Sequence, residues 1–177
     1  MSRPKIATAW LDGCSGCHMS LLDMDEKIID LVQQVDIVCS PTMDIKEFPK
    51  GVDVTLVEGA VSSSEDLHKI QRIRERTRLL ISLGDCAVTG NVPSMRNMYD
   101  VATVGHRAYV ENATTGSGLP ARDLPPLLPK VRPIHECVKV DLFVPGCPPP
   151  AEAIVFVLTE LLAGRIPDPG QLTRFGK

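Results

Sequence analysis

The sequence is poor in aromatic residues and carries little excess charge of either sign. Aromatic side chains make up 4% of its 177 residues, and the formal net charge at pH 7 is −3. Proteins that bind single-stranded nucleic acid stack bases on aromatic side chains, and nucleic-acid-binding proteins in general present a basic surface. We therefore expect no nucleic-acid partner.

A long apolar run is also lacking. No stretch reaches the roughly 20 apolar residues that a membrane-spanning helix requires, so we expect no membrane partner. The first residues, MSRPKIATAWLDG, contain neither the apolar segment and cleavage site of a secretory signal nor a twin-arginine pair. We therefore expect a cytoplasmic protein. In that reducing compartment the six cysteines are poor candidates for structural disulfides, which favours metal binding or redox chemistry for some of them.

Apolar segments alternate with amphipathic ones along most of the chain. Five segments are predicted to be β-strands: KIATAWL, VDIVCSP, VDVTLVEGA, RLLISLGDC and KVDLFVPGC. One helix is predicted from His18 to Val35, a second at SSSEDLHKIQRIRERT and a third at PPAEAIVFVLTELLAG. Because the strands are continuously apolar, we expect a parallel sheet covered by helices on both faces, which is an α/β fold.

Two regions fall outside this alternation. Residues 91–135 are rich in Gly, Pro and Arg and show no clear period, so they are predicted to form a long irregular excursion with one short helix near VPSMRNMYDVA. A loop of this length in a compact domain usually has a functional or interfacial role. The predicted organisation is a single domain over residues 1–165, which includes the excursion, and an extended tail over residues 166–177.

Four of the six cysteines follow predicted strands in glycine-containing turns. Cys14 and Cys17 follow the first strand, Cys86 follows the fourth, and Cys147 follows the fifth. The carboxyl ends of parallel strands lie at one edge of a sheet, where such sheets bind their ligands, so we expect the four thiols to converge. The neighbouring glycines would let the backbone approach a bulky inorganic group.

The other two cysteines are expected to lie elsewhere. Cys39 stands near the end of the second strand without a glycine turn, and we expect a buried, structural role for it. Cys137 precedes the fifth strand and so belongs to the opposite edge of the sheet.

Four convergent thiols fit three kinds of site. Structural zinc usually sits in small modules with two C-x-x-C pairs, whereas this chain has one pair and enough length for a core. A thioredoxin-like dithiol would use Cys14 and Cys17 and leave Cys86 and Cys147 unexplained. A four-iron–four-sulfur cluster uses all four thiolates. The residues favour the cluster and leave the other two sites open.

Four motifs together carry a resemblance to known proteins. WLDGCSGC, VEGAV, GDCAVTGN and VPGCPPP, in this order, resemble the small subunit of nickel–iron hydrogenases and the related 20 kDa subunit of respiratory NADH dehydrogenase. The respiratory subunit has two adjacent cysteines where this chain has the spaced pair Cys14 and Cys17, and Glu58-Gly59 also looks like the hydrogenase pattern. The short form, without a second cluster-binding domain, resembles the small subunit of cytoplasmic NAD-reducing hydrogenases.

The resemblance implies a flavodoxin-like, doubly wound parallel sheet that holds one 4Fe-4S cluster through Cys14, Cys17, Cys86 and Cys147. It also implies a large-subunit partner with the nickel–iron centre, and diaphorase partners with FMN, further iron–sulfur clusters and an NAD site. The chain itself would contain no nickel–iron active site and would be the electron-transfer subunit of a hydrogen:NAD+ oxidoreductase. The alternatives are a subunit of a quinone-linked NADH dehydrogenase and a zinc-stabilised interaction module.

Polar side chains near the predicted ligands have several possible roles. Asp12 and Asp85 would either lower the reduction potential of a cluster through their charge or cap the following helices. His18 would either have a local role at the start of the helix or serve a cluster by donating to a sulfur or transferring protons. Glu58 would be either a turn residue or, as the resemblance implies, a residue with an interfacial or proton-handling role. A flavin in this chain is not favoured, because the first strand–helix turn carries cysteines instead of a phosphate-binding loop.

Overall fold

A computed structural model of the chain describes residues 3–120 and 122–176. This part of the chain contains seven strands: β1 (Lys5–Trp10), β2 (Asp36–Cys39), β3 (Val52–Glu58), β4 (Val61–Ser63), β5 (Thr77–Leu83), β6 (Leu127–Arg132) and β7 (Leu142–Val144). It also contains six α-helices: α1 (Gly16–Leu22), α2 (Lys27–Gln34), α3 (Ser64–Arg76), α4 (Asp85–Thr89), α5 (Val101–His106) and α6 (Ala151–Leu162).

Five parallel strands form the central sheet, in the order β2-β1-β3-β5-β7. Counted within this sheet alone, the order is 2-1-3-4-5, which is the order of flavodoxin-like folds. The predicted flavodoxin-like parallel sheet is therefore confirmed. Trp10, Glu58 and Leu83 lie side by side in the register of β1, β3 and β5. These three strands thus end level with one another, at a single edge of the sheet.

Both faces of the sheet are buried, which explains why its strands are continuously apolar. Leu56 of β3 belongs to a buried cluster with Ile154 of α6. The next residue, Val57, belongs to a second buried cluster with Ile70 of α3. Successive side chains of a strand point to opposite faces, so α6 and α3 cover opposite sides of the sheet.

The single helix predicted from His18 to Val35 is wrong, because the structure has two helices there. α1 ends at Leu22 and α2 begins at Lys27, and Asp25 in the intervening turn has a positive φ of 50°. Leu21 of α1 and Leu31 of α2 both pack against the same core cluster. The apolar period therefore continues across the break, and periodicity alone does not reveal the turn.

Residues 91–135 are more ordered than the sequence indicates. The short helix predicted near VPSMRNMYDVA corresponds to a 3₁₀ helix over Val92–Met98, which α5 follows. β6 was not predicted, because the sequence LLPKVR contains a proline and lacks an alternating apolar pattern. It pairs with β4 in an antiparallel two-stranded sheet. The side chain of Asn97 holds it in place by accepting the N–H of Val131 at 2.7 Å and donating to the Val131 carbonyl at 2.9 Å.

The C-terminal segment contains a 3₁₀ turn at Pro169–Gln171. Thr173, which follows this turn, is buried. The proposed division of the chain after residue 165 stays a prediction. Across the described residues, no helix is both long enough and apolar enough to span a membrane.

Candidate metal centre

The turn after β1 is bound to the turn after β3 through the backbone. The N–H of Leu11 donates to the Glu58 carbonyl at 2.9 Å, and Asp12 and Ala60 exchange N–H···O bonds of 3.0 and 2.7 Å. Gly59 has a φ of +84°, and a Cβ there would lie 2.8 Å from the carbonyl carbon of Leu11. The two turns approach this closely only because residue 59 is glycine.

Cys14 and Cys17 lie on this bound turn. Cys14 is exposed, and Cys17 is half-buried in the first turn of α1, which begins at Gly16. The Sγ of Cys17 points at the turn after β5, where a Cβ on Gly84 would lie 2.2 Å from it. A side chain at residue 84 would therefore displace the Cys17 thiol.

Cys86 and Cys147 are joined through the residues that precede them. The N–H of Asp85 donates to the Gly146 carbonyl at 2.9 Å, and the N–H of Gly146 donates to Oδ1 of Asp85 at 2.7 Å. The Asp85 side chain is only 2% exposed. This reciprocal pair of hydrogen bonds fixes the end of β5 against the end of β7 and so sets the separation of the two cysteines.

The structure brings the four predicted ligands to one place. Cys14, Cys17, Cys86 and Cys147 all line a single pocket of about 60 Å³ at the carboxyl edge of the sheet. Cys39 and Cys137 do not line it, and both are half-buried. Cys137 lies before β7, toward the opposite edge of the sheet, and packs against the core.

The four cysteines line a common pocket. Among the described residues, no three His, Cys, Asp or Glu side chains are close enough together to hold one metal ion. A tetrahedral zinc site would place every sulfur about 2.3 Å from a single ion. Four thiols are a ligand set that serves both structural zinc and a 4Fe-4S cluster.

Burial keeps two of the thiols protonated unless a cation replaces the proton. It raises the pKa of Cys17 above its ordinary value, and the nearby Glu58 carboxylate raises it further. Burial also raises the pKa of Cys86 to about 11, with smaller contributions from Cys147 and Cys14. Because metals bind thiolates, metal binding at this pocket would release protons.

Glu58 and His18 form a buried pair beside the pocket. Glu58 is 2% exposed; its Oε2 accepts the N–H of His18 at 3.2 Å, and its Oε1 lies 3.4 Å from His18 Nδ1. The Trp10 ring packs edge-on against His18 at a centroid separation of 5.6 Å. Glu58 therefore holds the start of α1 through a backbone N–H, as well as lining the pocket.

The two aspartates beside the ligands differ in their surroundings. Asp12 is exposed, whereas Asp85 is buried and binds the loop of Cys147. Neither residue caps the following helix, because the N-cap positions of α1 and α4 are Ser15 and Gly84.

Two contacts at the site were not predicted from the sequence. The side-chain amide of Asn91 lies 3.5 Å from the Sγ of Cys147. The hydroxyl of Thr173 donates to the Pro145 carbonyl. Asn91 closes the motif GDCAVTGN, so its place in that motif was an available signal. Thr173 lies in a tail without periodicity, where the sequence offers no signal of its contact.

The chain matches the protein family described as "NADH ubiquinone oxidoreductase, 20 Kd subunit" over residues 14–161. It is 43% identical over 177 residues to the NAD-reducing hydrogenase HoxS subunit delta of Cupriavidus necator, with 97% of this chain and 85% of that protein covered. It is 39% identical over 165 residues to one subunit of the F420-non-reducing hydrogenase vhu of Methanocaldococcus jannaschii. That match covers 92% of this chain but only 57% of the relative.

A solved structure agrees with these sequence matches. A chain in the crystal structure of an NAD+-reducing [NiFe]-hydrogenase in the H2-reduced state superposes with a TM-score of 0.93 at 39% identity. The superposition covers 98% of this chain and 99% of that one. The resemblance predicted from the four motifs is confirmed, and these relatives favour its hydrogenase branch over the respiratory one.

Proposed function

Because the chain belongs to the NADH ubiquinone oxidoreductase 20 Kd subunit family, we propose that it is the electron-transfer small subunit of a nickel–iron hydrogenase that couples H2 oxidation to NAD+ reduction. The observation that carries this proposal is the convergence of four strand-end cysteines on one pocket. The proposal is supported by the similarity to the NAD-reducing hydrogenase subunit of Cupriavidus necator.

In this proposal Cys14, Cys17, Cys86 and Cys147 hold one 4Fe-4S cluster. Such a cluster, when bound, accepts and donates single electrons. Two features of the chain fit it: four cysteines from three strand-end turns line one pocket, and glycine at residue 84 leaves room there for the Cys17 thiol. Zinc is the rival from a different class, and the similarity to a relative named as an iron-sulfur subunit favours the cluster over it.

The residues of the chain keep the ligands in place and set their electrostatic surroundings. Hydrogen-bonded turns hold the thiols so that little reorganisation accompanies the arrival of an electron. The buried carboxyl groups of Glu58 and Asp85 lie beside the ligands. A negative charge at either position would disfavour a further electron nearby and so lower the reduction potential of the centre.

The chemistry of hydrogen and of NAD belongs to the partners in this proposal. A large subunit would supply the nickel–iron centre, and diaphorase subunits would supply FMN, further iron–sulfur clusters and the NAD site. This chain would carry electrons between them, in a complex located in the cytoplasm.

The proposal is tested on the complex purified under anaerobic conditions from cells that produce Cys86→Ser or Cys137→Ser. We expect Cys86→Ser to remove about four iron and about four sulfide per complex and to abolish H2-dependent NAD+ reduction. Cys137→Ser should retain both. Loss of one zinc ion with no loss of iron, or equal effects of the two substitutions, would contradict the proposal.

A further inference from the structure

The loop of Cys147 has few hydrogen-bonding groups of its own. In the sequence Pro-Gly-Cys-Pro-Pro-Pro, residues 145–150, four of the six residues lack a backbone N–H. Only Gly146 and Cys147 can donate from the backbone. The position of this loop therefore depends on groups that other parts of the chain supply.

Two of these groups come from the start of α4 and from α1. The backbone N–H of Asp85 donates to the carbonyl of Gly146 at 2.9 Å. The hydroxyl of Ser20, in α1, donates to the carbonyl of Pro149 at 2.5 Å. These contacts join the loop to the two helices that carry Cys17 and Cys86.

The C-terminal segment, residues 166–176, supplies further contacts. The buried hydroxyl of Thr173 donates to the Pro145 carbonyl. A Cβ on Gly146 would lie 2.8 Å from Oγ1 of Thr173 and 2.6 Å from Cα of Pro149. Gly146 thus lies tightly between the C-terminal segment and the prolines that follow Cys147.

One carboxylate joins the C-terminal segment to the loop. Oδ1 of Asp85 accepts the N–H of Gly146 at 2.7 Å, and Oδ2 accepts the N–H of Gly176 at 2.8 Å. The Asp85 side chain is buried, and each of its two oxygens accepts one of these backbone N–H groups. Because both oxygens belong to one rigid group, Gly176 helps to orient the oxygen that binds Gly146.

We infer that the C-terminal segment is a structural part of the cysteine site, and that Asp85 is the positioning residue that couples it to Cys147. Without the segment, the Asp85 carboxyl group would keep its bond to Gly146 but lose the bond that fixes its second oxygen, and the Cys147 loop would lose its contact at Pro145. The coupling itself is a property of the folded chain. Only its consequence for a bound cluster rests on the proposed function.

The direct test is hydrogen exchange on the purified complex with Gly176→Pro. Proline lacks the N–H that binds Asp85, and it cannot adopt the φ of +73° at this position. Because Gly146 and Cys147 carry the only N–H groups in residues 145–150, exchange in this segment reports on the bond to Asp85. We expect exchange there to accelerate about tenfold, which is the effect of losing one hydrogen bond of ordinary strength.

Gly116→Pro is the matched control. Gly116 also has a positive φ, of +65°, but it lies in an exposed turn with no atom within 4 Å of an added Cβ. It should leave exchange at residues 146 and 147 unchanged. Exchange that stays at the wild-type rate in Gly176→Pro would overturn the inference, as would equal acceleration by the two substitutions.

A second, milder variant tests the other contact of the segment. Thr173→Val keeps the shape of the side chain but removes the donor to Pro145. We expect the visible absorbance of the iron–sulfur centre to be lost to an iron chelator about tenfold faster than in the exposed control Thr114→Val. Equal rates in the two variants would contradict a role for the segment in holding the centre.

The outcomes separate the inference from the proposed function. A complex that lacks iron at this site but shows faster exchange in Gly176→Pro would refute the proposed function and support the coupling. A complex that holds the cluster but shows unchanged exchange would do the reverse.

Discussion

β1 and β7 both deliver cysteines to the pocket, but they are held in the sheet in different ways. β1 has six residues and pairs with β3 over five consecutive positions, from Ile6 to Trp10. β7 has three residues and lies at the edge of the sheet, and within residues 3–120 and 122–176 it pairs with β5 alone. The first cysteine pair therefore follows a strand held by main-chain bonds, and Cys147 follows a strand with few of them.

Aspartate side chains add hydrogen bonds between β7 and β5 just beyond both ends of β7. At its start, Leu80 donates its N–H to Oδ2 of Asp141 at 2.8 Å, while the N–H of Asp141 donates to the Leu80 carbonyl at 2.9 Å. At its end, Asp85 and Gly146 make the same reciprocal pair of bonds. One half of the site therefore depends on backbone bonds and glycine, and the other half on aspartate side chains.

The largest expected effect comes from adding a methyl group to the backbone-held half. Gly59→Ala would force a side chain into a positive φ and bring its Cβ to 2.8 Å from Leu11. We expect a loss of roughly 2–4 kcal/mol in the free energy of unfolding, from backbone strain and overpacking together. Urea unfolding of the full-length chain measures it. Gly116 also has a positive φ, but no atom lies within 4 Å of an added Cβ, so Gly116→Ala should cost only about 1 kcal/mol. Equal costs of the two substitutions would show that the close approach to Leu11 adds nothing.

The next effect comes from deleting the carboxylate at the end of β7. Asp85→Ala leaves the N–H groups of Gly146 and Gly176 without their acceptor, and we expect it to cost roughly 2–3 kcal/mol. The iron content of the purified complex should fall with it. Asp12→Ala, beside the first pair of cysteines, should change neither quantity, because its side chain is exposed and its turn is held by the backbone. Similar losses in both variants would erase the distinction between the two halves.

A smaller effect is expected at the hydrogen bond that links the two halves. The buried hydroxyl of Ser20, on the helix that carries Cys17, donates to Pro149 in the loop of Cys147. Ser20→Ala should lower the free energy of unfolding by about 1–2 kcal/mol, since it leaves a carbonyl without its donor. The exposed Ser117→Ala is the control in the same unfolding series, and it should be neutral.

The smallest effect should depend on pH. Burial opposes ionisation of Asp141, but the Leu80 N–H and the Arg74 guanidinium outweigh it and hold the pKa of Asp141 below its usual value. A lowered folded-state pKa stabilises the fold above the unfolded-state pKa, and this contribution is lost as pH falls through the folded value. Asp141→Asn should therefore cost about 1 kcal/mol at pH 7 and progressively less below about pH 4. The free energy of unfolding, measured across this pH range for Asp141→Asn and for the exposed control Asp44→Asn, tests this prediction. A cost of Asp141→Asn that stays constant with pH would contradict the lowered pKa of Asp141.

The sheet and the convergence of the cysteines could be predicted because both follow from local patterns. Continuously apolar strands identify a parallel sheet, and such a sheet brings its strand ends to one edge without any knowledge of side-chain contacts. Cys14 and Cys147 are 133 positions apart in the sequence, yet strand position alone was enough to place them together. The two-helix break near Asp25 and the strand β6 were missed because neither interrupts or creates an apolar period.

The supports of the site were harder to predict, because they depend on long-range contacts. Asp85 and Asp12 both flank cysteines in the sequence, and only the tertiary structure distinguishes the buried one from the exposed one. The contact between Asp85 and Gly176 joins residues 91 positions apart in the sequence. No periodicity or motif marks the tail residue, so the role of the C-terminal segment was not visible in the sequence.

X-ray diffraction data from the intact complex, collected on both sides of the iron and zinc absorption edges, test the central claim most directly. We expect an iron signal inside the pocket, with iron bound by the Sγ atoms of Cys14, Cys17, Cys86 and Cys147. A zinc signal at that position, or an iron centre that leaves Cys86 or Cys147 unbound, would contradict it.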